Sequence, residues 1–323
     1  MATIKDVAKI AEVTVTTVSR VLNNRGYISQ VTRNKVHDAM KQLDYQPNEI
    51  ARSLFRRKSN LIGLIIPNVA HPFFAELTSY IEYYAYKAGY KILLCNSYQD
   101  SVKEKDYVEM LKRYQVDGII MGSHTVDTLD YLSPTLPIVA LDRTFTNNIP
   151  FVTSDNYHGG ILATNLLIDR GCKKIAHISG PLEINTPANK RYQAFMDVVL
   201  ARKVKFVIKQ AKLDIFEGYE KLACKLFEEH PDIDGVFASS DMIAASIIHV
   251  ANLIGKDITK DLRIVGYDDI NIASLIVPPL TTIKQPIENM GELAVKILID
   301  LLEKKEVDIE NILPVTLVER KTT

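Results

Sequence analysis

From Leu61 onward, short apolar runs alternate with stretches of helical periodicity, and this alternation limits the fold more than any other feature of the chain. The spacing predicts strands at 61–66, 91–95, 118–121 and 138–141, with helices at 72–88 and 103–114 between them. After Asp155 the cycle starts again, with a helix at 160–170, a strand at 174–179 and a helix at 190–200. It continues through a strand at 206–210, a helix at 218–228, a strand at 235–238, a helix at 242–254 and a strand at 262–267. A last helix at 288–303 precedes a single strand at 313–318. Parallel strands need a crossover of a dozen or more residues, usually a helix, and such sheets are covered on both faces. The fold class is therefore α/β, with two consecutive sets of strands forming two similar lobes.

The first sixty residues have a different texture. They hold 11 Lys and Arg against 5 Asp and Glu, a charge of +6, whereas the remaining residues hold 28 against 34, a charge of −6. A compact basic segment ahead of a mildly acidic body suits a polyanion-binding head. Thr3 with Asp6 makes a capping-box start for a helix through about Ala11, with Val7, Ile10 and Ala11 on one face. Thr14 caps a second helix whose inward residues are Val18, Val21 and Leu22, broken by Asn23, Asn24 and Gly26. A third helix at 32–43 is stopped by Pro47. Helix, tight turn and helix within 22 residues is the helix-turn-helix arrangement. Residues 49–54, after a cap at Asn48, are too few for a helix stable in isolation.

No catalytic motif emerges. There is no phosphate-cradling loop, no Gly-x-Ser-x-Gly elbow and no His-Glu-x-x-His pair. A sugar-processing enzyme of Rossmann type would need a nucleotide-binding glycine loop that the sequence lacks, so neither enzyme activity nor a cofactor is expected. Cys95, Cys172 and Cys224 lack metal-ligand spacing and read as buried, reduced small hydrophobes. No run approaches the roughly 18 apolar residues of a membrane helix. Charges at Lys5 and Asp6 stand where a signal peptide needs its apolar stretch. A cytoplasmic protein without membrane contact is the expectation.

In open parallel sheets, ligands bind beyond the carboxyl ends of strands. Asn68, Asp142-Arg143, Ser240-Asp241 and Asp268-Asp269 stand at such ends. Carboxylates, guanidinium groups and amides pair with adjacent hydroxyls, and the rings of Phe73 and Phe74 suit the apolar face of a sugar. The competing reading makes the phenylalanines ordinary core and the aspartates helix caps. Six of the seven histidines read as surface or lining residues without a special role; His71 is the exception.

Ile4-Lys5-Asp6-Val7-Ala8, the run Val13 to Asn23 and Tyr45-Gln46-Pro47-Asn48 resemble the headpiece of the lactose-repressor family. Gly180-Pro181-Leu182, Val265-Gly266-Tyr267-Asp268-Asp269 and the run Leu280 to Pro286 are similar to motifs of that family's sensor domain. Arg25-Gly26-Tyr27 and Ser154-Asp155-Asn156-Tyr157 resemble sucrose-utilisation repressors of Gram-positive bacteria, whereas Gly180-Pro181-Leu182-Glu183 and Asn185-Thr186 resemble ribose repressors. The resemblance implies a helix-turn-helix headpiece at 1–47 and a hinge helix and linker at 48–60. Residues 61–323 would form an effector-binding and dimerisation domain like a periplasmic binding protein. Its lobes would be roughly 61–158 plus 284–315, and 159–283 plus the tail.

By the resemblance, the second helix enters the major groove, with Val15, Thr16 and Arg20 at base edges and Thr17, Ser19 and Asn23 near phosphates. Thr14, Tyr27 and, in the hinge, Asn48, Ala51 and Leu54 complete the implied DNA contacts, Leu54 as a minor-groove wedge. Implied effector contacts are Asn68, His71, Phe73, Phe74, Asp142, Arg143, Arg191, Ser240, Asp268 and Gln285. The implied partners are a pseudo-palindromic operator, a second copy of the chain, and a small sugar or sugar phosphate. A corepressor-dependent global or purine-type regulator is the alternative within the class. A transport-associated sugar-binding protein is disfavoured by the headpiece.

Overall fold

The computed structural model describes residues 2–47, 58–123, 136–145, 148–211 and 217–323. The chain divides into two compact units, Met1–Asn60 and Leu61–Thr323.

In the first unit, α1 (Ile4–Ile10), α2 (Val15–Leu22) and α3 (Gln30–Gln42) bury Val7, Ala8, Ala11, Val18, Val21, Val36 and Ala39 against one another. Asp6 Oδ2 accepts from both the Thr3 amide at 2.8 Å and the Thr3 hydroxyl at 2.7 Å, which satisfies a donor that the helix start leaves orphaned. Glu12, at φ +53°, makes the tight turn, and Thr14 Oγ1 accepts from the Thr17 amide at 3.1 Å to start α2. The third helix departs from expectation at both ends. Ser29 caps it by accepting from the Thr32 amide at 3.2 Å, so it starts two residues early. It ends at Gln42 because Asp44 adopts φ +46°, with Tyr45 N–H bonding Met40 O and Asp44 N–H bonding Lys41 O. That is a Schellman ending, and Pro47 has no part in it.

The second unit holds two six-stranded sheets. Its elements are β1 (Leu61–Ile66), α4 (Pro72–Lys87), β2 (Lys91–Asn96), α5 (Ser101–Arg113), β3 (Gly118–Met121), β4 (Ile138–Leu141), β5 (Phe151–Ser154) and α6 (Asn156–Asp169). They continue as β6 (Lys174–Ser179), α7 (Asn189–Ala201), β7 (Lys205–Gln210), α8 (Glu217–Glu229), β8 (Gly235–Ala238), α9 (Asp241–Leu253), β9 (Arg263–Asp268), β10 (Thr281–Lys284), α10 (Ile287–Leu302), β11 (Glu310–Leu313) and β12 (Thr316–Val318).

The first sheet runs β11-β5-β4-β3-β1-β2, all parallel, and the second β12-β10-β9-β8-β6-β7, with only the β10–β12 pair antiparallel. The inner strands β3, β4 and β8 are buried along their whole length, as sheets with helices on both faces require. Edge strands β2 and β7 carry exposed residues.

Three features of this unit were not expected from the sequence. β5 and β10 are four-residue strands whose short apolar content gives little periodic signal. The expected strand at 313–318 is two strands, β11 and β12, which join different sheets on either side of Pro314 and Val315. The helix α6 starts at Asn156, not 160, because Asp155 Oδ1 accepts from the His158 amide at 2.9 Å and extends it into polar sequence. Cys95 and Cys172 are buried, but Cys224 is exposed on α8. Among the described residues no helix is long and apolar enough to cross a membrane.

Candidate functional site

The chain passes between the sheets after β5, after β10 and between β11 and β12. Residues at these passages and at the carboxyl ends of strands surround a cavity of about 150 Å³. His71, Phe73 and Phe74 reach it from the start of α4, and Asp142 from the end of β4. From the other lobe come His177 and Ser179 of β6, Arg191 of α7, Ser239 and Ser240 beyond β8, and Asp268 of β9. Gln285, at a passage, completes the wall.

One polar network ties these groups together. Asp142 Oδ1 accepts from the Thr153 hydroxyl at 2.6 Å, and the Asn156 amide donates to the same hydroxyl oxygen at 3.2 Å. Asn156 Oδ1 in turn accepts from Arg191 Nε at 2.6 Å, while Arg191 Nη1 donates to Ser239 O at 2.7 Å. The guanidinium also lies 3.6 Å from the Tyr267 ring centroid, a cation–π contact that fixes its plane. On a second branch, the Ser154 hydroxyl donates to Gln285 Oε1 at 2.7 Å, and Gln285 Nε2 donates to Asp268 Oδ1 at 2.7 Å. The network thus runs from β5 through the passages to α7 and β9.

Local backbone geometry supports this placement. Asp142, Asp268 and Asp269 have φ of +50°, +115° and +55°, conformations that L residues avoid and that cost on the order of 1–3 kcal/mol each. Strain of this kind persists where packing over-determines it, and here it aims carboxylates off strand ends. A Cβ on Gly160 would lie 2.8 Å from Arg191 O and 2.7 Å from Ala194 Cβ, so the close approach of α6 to α7 that positions Arg191 needs glycine there.

The electrostatics are those of a largely buried site. Burial pushes His71 down to about 4 and His177 to about 3, so both rings are neutral near pH 7. Burial likewise raises the Asp268 carboxyl well above the usual range, opposed by the Arg191 charge and the Gln285 bond. A neutral hydroxyl-rich molecule suits such a lining: carboxylates accept, the guanidinium donates, and Phe73 and Phe74 offer apolar surface.

Eight of the ten effector-set residues named from the sequence border this cavity: His71, Phe73, Phe74, Asp142, Arg191, Ser240, Asp268 and Gln285. Two do not. Asn68 Oδ1 accepts from the Ala70 amide at 2.9 Å and holds the turn after β1. Arg143 is turned away from the cavity, with Nη1 2.6 Å from Ser123 O and 3.3 Å from Glu104 Oε1, a buried ion pair inside the first lobe. Ser240 also caps α9 by accepting from the Ile243 amide at 3.3 Å, and Asp241 is a structural carboxylate bonded to Thr282 and the Ile270 amide. Sequence reasoning missed His177, Ser179, Asn156 and Tyr267.

In the first unit, Thr14, Val15, Thr16, Arg20 and Tyr27 are exposed, and Thr17, Ser19 and Asn23 are half-buried on the same helix and its end. The Asn23 amide donates to Ser19 O at 2.9 Å and closes α2. Asn48, Ala51 and Leu54 lie outside the described residues, as does the rest of the hinge segment up to residue 57.

A helix-turn-helix with an exposed polar face on its second helix, and a two-lobed α/β unit with a polar cleft, define a ligand-controlled DNA-binding regulator. Residues 3–48 match the model described as bacterial regulatory proteins, lacI family, and residues 164–323 match that of a periplasmic binding protein-like domain. A ribose operon repressor of Halalkalibacterium halodurans is 44% identical over 324 residues, covering 100% of this chain and 97% of that protein. A sucrose operon repressor of Streptococcus mutans serotype c is 41% identical over 317 residues, with 98% of each chain covered. Among solved structures, the lac repressor dimer bound to operator and an anti-inducer is similar with a TM-score of 0.89, at 27% identity over 99% of this chain and 98% of that one. The chain belongs to the lacI family of bacterial regulatory proteins, and it is a transcriptional repressor of that family.

Proposed function

We propose that the chain binds a pseudo-palindromic operator as a homodimer and that a neutral monosaccharide in the cleft of its second unit modulates DNA affinity. Residues 1–47 form the headpiece in this reading, 48–60 the hinge and linker, and the remainder senses the sugar and dimerises. The observation that carries it is the network joining Asp142, Asn156 and Arg191 across the passages: a ligand bonded to both lobes stabilises one disposition of them. The names of the ribose and sucrose operon repressors support a sugar. Size favours one ring over two, because a cavity of about 150 Å³ matches the volume that accommodates a single six-membered ring such as benzene.

Charge favours an unphosphorylated sugar. Asp142 borders the cavity, burial holds the neighbouring Asp268 carboxyl well above the usual range, both histidines are neutral, and the Arg191 guanidinium is already bonded to Asn156 and Ser239, so no free cation among these groups awaits a phosphate. Setting like charges together in a buried site costs several kcal/mol, so D-ribose should bind roughly a hundredfold or more tighter than D-ribose 5-phosphate. Titration calorimetry with the two compounds tests this, and equal or reversed affinities would remove the neutral-sugar reading.

At the headpiece, Arg20 stands exposed on α2, and a guanidinium reads guanine through two donors. Arg20→Ala should weaken binding to the specific site by about 1–3 kcal/mol and relax preference at one base pair per half-site. Lys5→Ala should weaken all sequences alike. Selection of binding sites from random DNA checks both, and an unchanged consensus for the Arg20 variant would take α2 out of the groove.

A further inference from the structure

We infer that His177 and Ser179, on the inner face of β6, form a subsite in which a buried hydroxyl of the effector donates to His177 Nε2. The inference rests on the sugar reading above and adds the group that selects among sugars. His177 is 0% exposed, its ring stacked at 5.0 Å on Phe195 and 4.6 Å on Phe237. Its Nδ1 lies 3.0 Å from Phe237 O. A carbonyl oxygen only accepts, so Nδ1 must carry the ring proton. Burial keeps the second proton off the ring, and Nε2 is therefore a bare acceptor. That nitrogen is buried and has no hydrogen-bond partner among the described residues, and His177 lines the cavity.

Ser179 is two residues further along the strand and faces the same way. Its Oγ is also buried and without a partner among the described residues, and Ser179 too lines the cavity. Native structures leave few buried polar atoms unsatisfied, and two on one cavity wall, 177 and 179, call for a ligand that supplies the bonds. The acceptor is unambiguous in kind: it takes an O–H or N–H donor and rejects a carbonyl, an ether oxygen or a phosphate oxygen. A sugar hydroxyl fits, whereas a deoxy position there leaves Nε2 unpaired. Sites built to bond a hydroxyl discriminate more strongly against its absence than apolar pockets do against an added group.

The test uses the full chain with D-ribose, D-fructose and the 2-, 3- and 5-deoxy forms of D-ribose in titration calorimetry. His177→Phe keeps an aromatic ring in the stack with Phe195 and Phe237, and Ser179→Ala removes one atom. Each should lower affinity for the sugar that binds, by roughly ten- to a hundredfold for His177→Phe and about tenfold for Ser179→Ala. One deoxy analogue should lose as much affinity on the unaltered protein as His177→Phe does, and lose nothing further on that variant. A ring-nitrogen NMR signal of His177 that moves on sugar addition provides a second measurement should the Phe variant fold poorly. Undiminished affinity in both variants, or a ring signal indifferent to bound sugar, overturns the subsite while leaving the sugar reading intact. An unaltered protein that binds neither D-ribose nor D-fructose overturns that reading, and the subsite with it.

Discussion

Replacing Arg191 by Ala lowers affinity for the effector sugar by at least about a hundredfold and leaves affinity for operator DNA within roughly twofold. The first effect follows from what the guanidinium does in the cleft. It lines the cleft, donates to Asn156 Oδ1 and Ser239 O and lies over Tyr267, so its loss takes the brace out of the cleft wall and frees the amide that holds Thr153 and, through it, Asp142. Bonds of this charge-assisted kind are worth about 1.5–3 kcal/mol each, and the two that hold the cleft in its sugar-binding shape disappear together. The second effect follows because the helix-turn-helix proposed to read DNA belongs to the other compact unit. Lysine should not rescue the variant, since it lacks the planar fork that serves two acceptors and a ring face at once. Calorimetry with D-ribose and a gel-shift assay on operator DNA decide the matter. Unchanged sugar affinity would take Arg191 out of the site, and loss of both activities would indicate misfolding.

Replacing Arg143 by Ala should instead destabilise the protein by about 3–5 kcal/mol, because it breaks the buried ion pair with Glu104 by removing one of its members. Both side chains are nearly inaccessible, at 6% and 0% exposure, so solvent screening gives little relief. For a unit of this size, each kcal/mol lowers the melting temperature by about 2–4 °C, which gives a fall on the order of 10 °C. A double variant, Glu104→Leu with Arg143→Met, should recover much of the loss, since removing both charges removes the penalty for burying either. Differential scanning calorimetry measures both. A melting temperature unchanged by Arg143→Ala, together with weakened sugar binding, would return Arg143 to the ligand set.

The contrast between neighbours Asp142 and Arg143 shows where the sequence is legible and where it stops. Strand ends are readable from apolar runs, and polar residues just past them fall at a cleft in a parallel sheet, which located Asp142, Ser240 and Asp268. Whether a side chain at a strand end then turns inward depends on a partner distant in sequence. Arg143 is drawn aside by Glu104, 39 residues earlier, and nothing local to Arg143 announces that. His177 was overlooked for a related reason. Inside Lys174-Ile175-Ala176-His177-Ile178-Ser179 it reads as one polar interruption of a buried strand, and only the aromatic stack and the Phe237 carbonyl give it a fixed tautomer. Strand period two would have paired it with Ser179 on one face, the one available signal. The α/β class and the helix-turn-helix were legible because their periodicities are long. The four-residue strands β5 and β10 were not, being set on one side by pairing with β11 and β12, which follow much later in the chain.

The split of the last strands bears on how the body is made. β11 completes the edge of one sheet by pairing with β5, and β12 closes the other by pairing with β10, yet both lie within nine residues, Glu310 to Val318. Emerging amino end first from the ribosome, the chain exposes β5 and β10 as open edges until this stretch is released. Unpaired edges invite association with other chains. Neither lobe is a contiguous piece of chain that can close by itself during synthesis, so the two mature together, at the end.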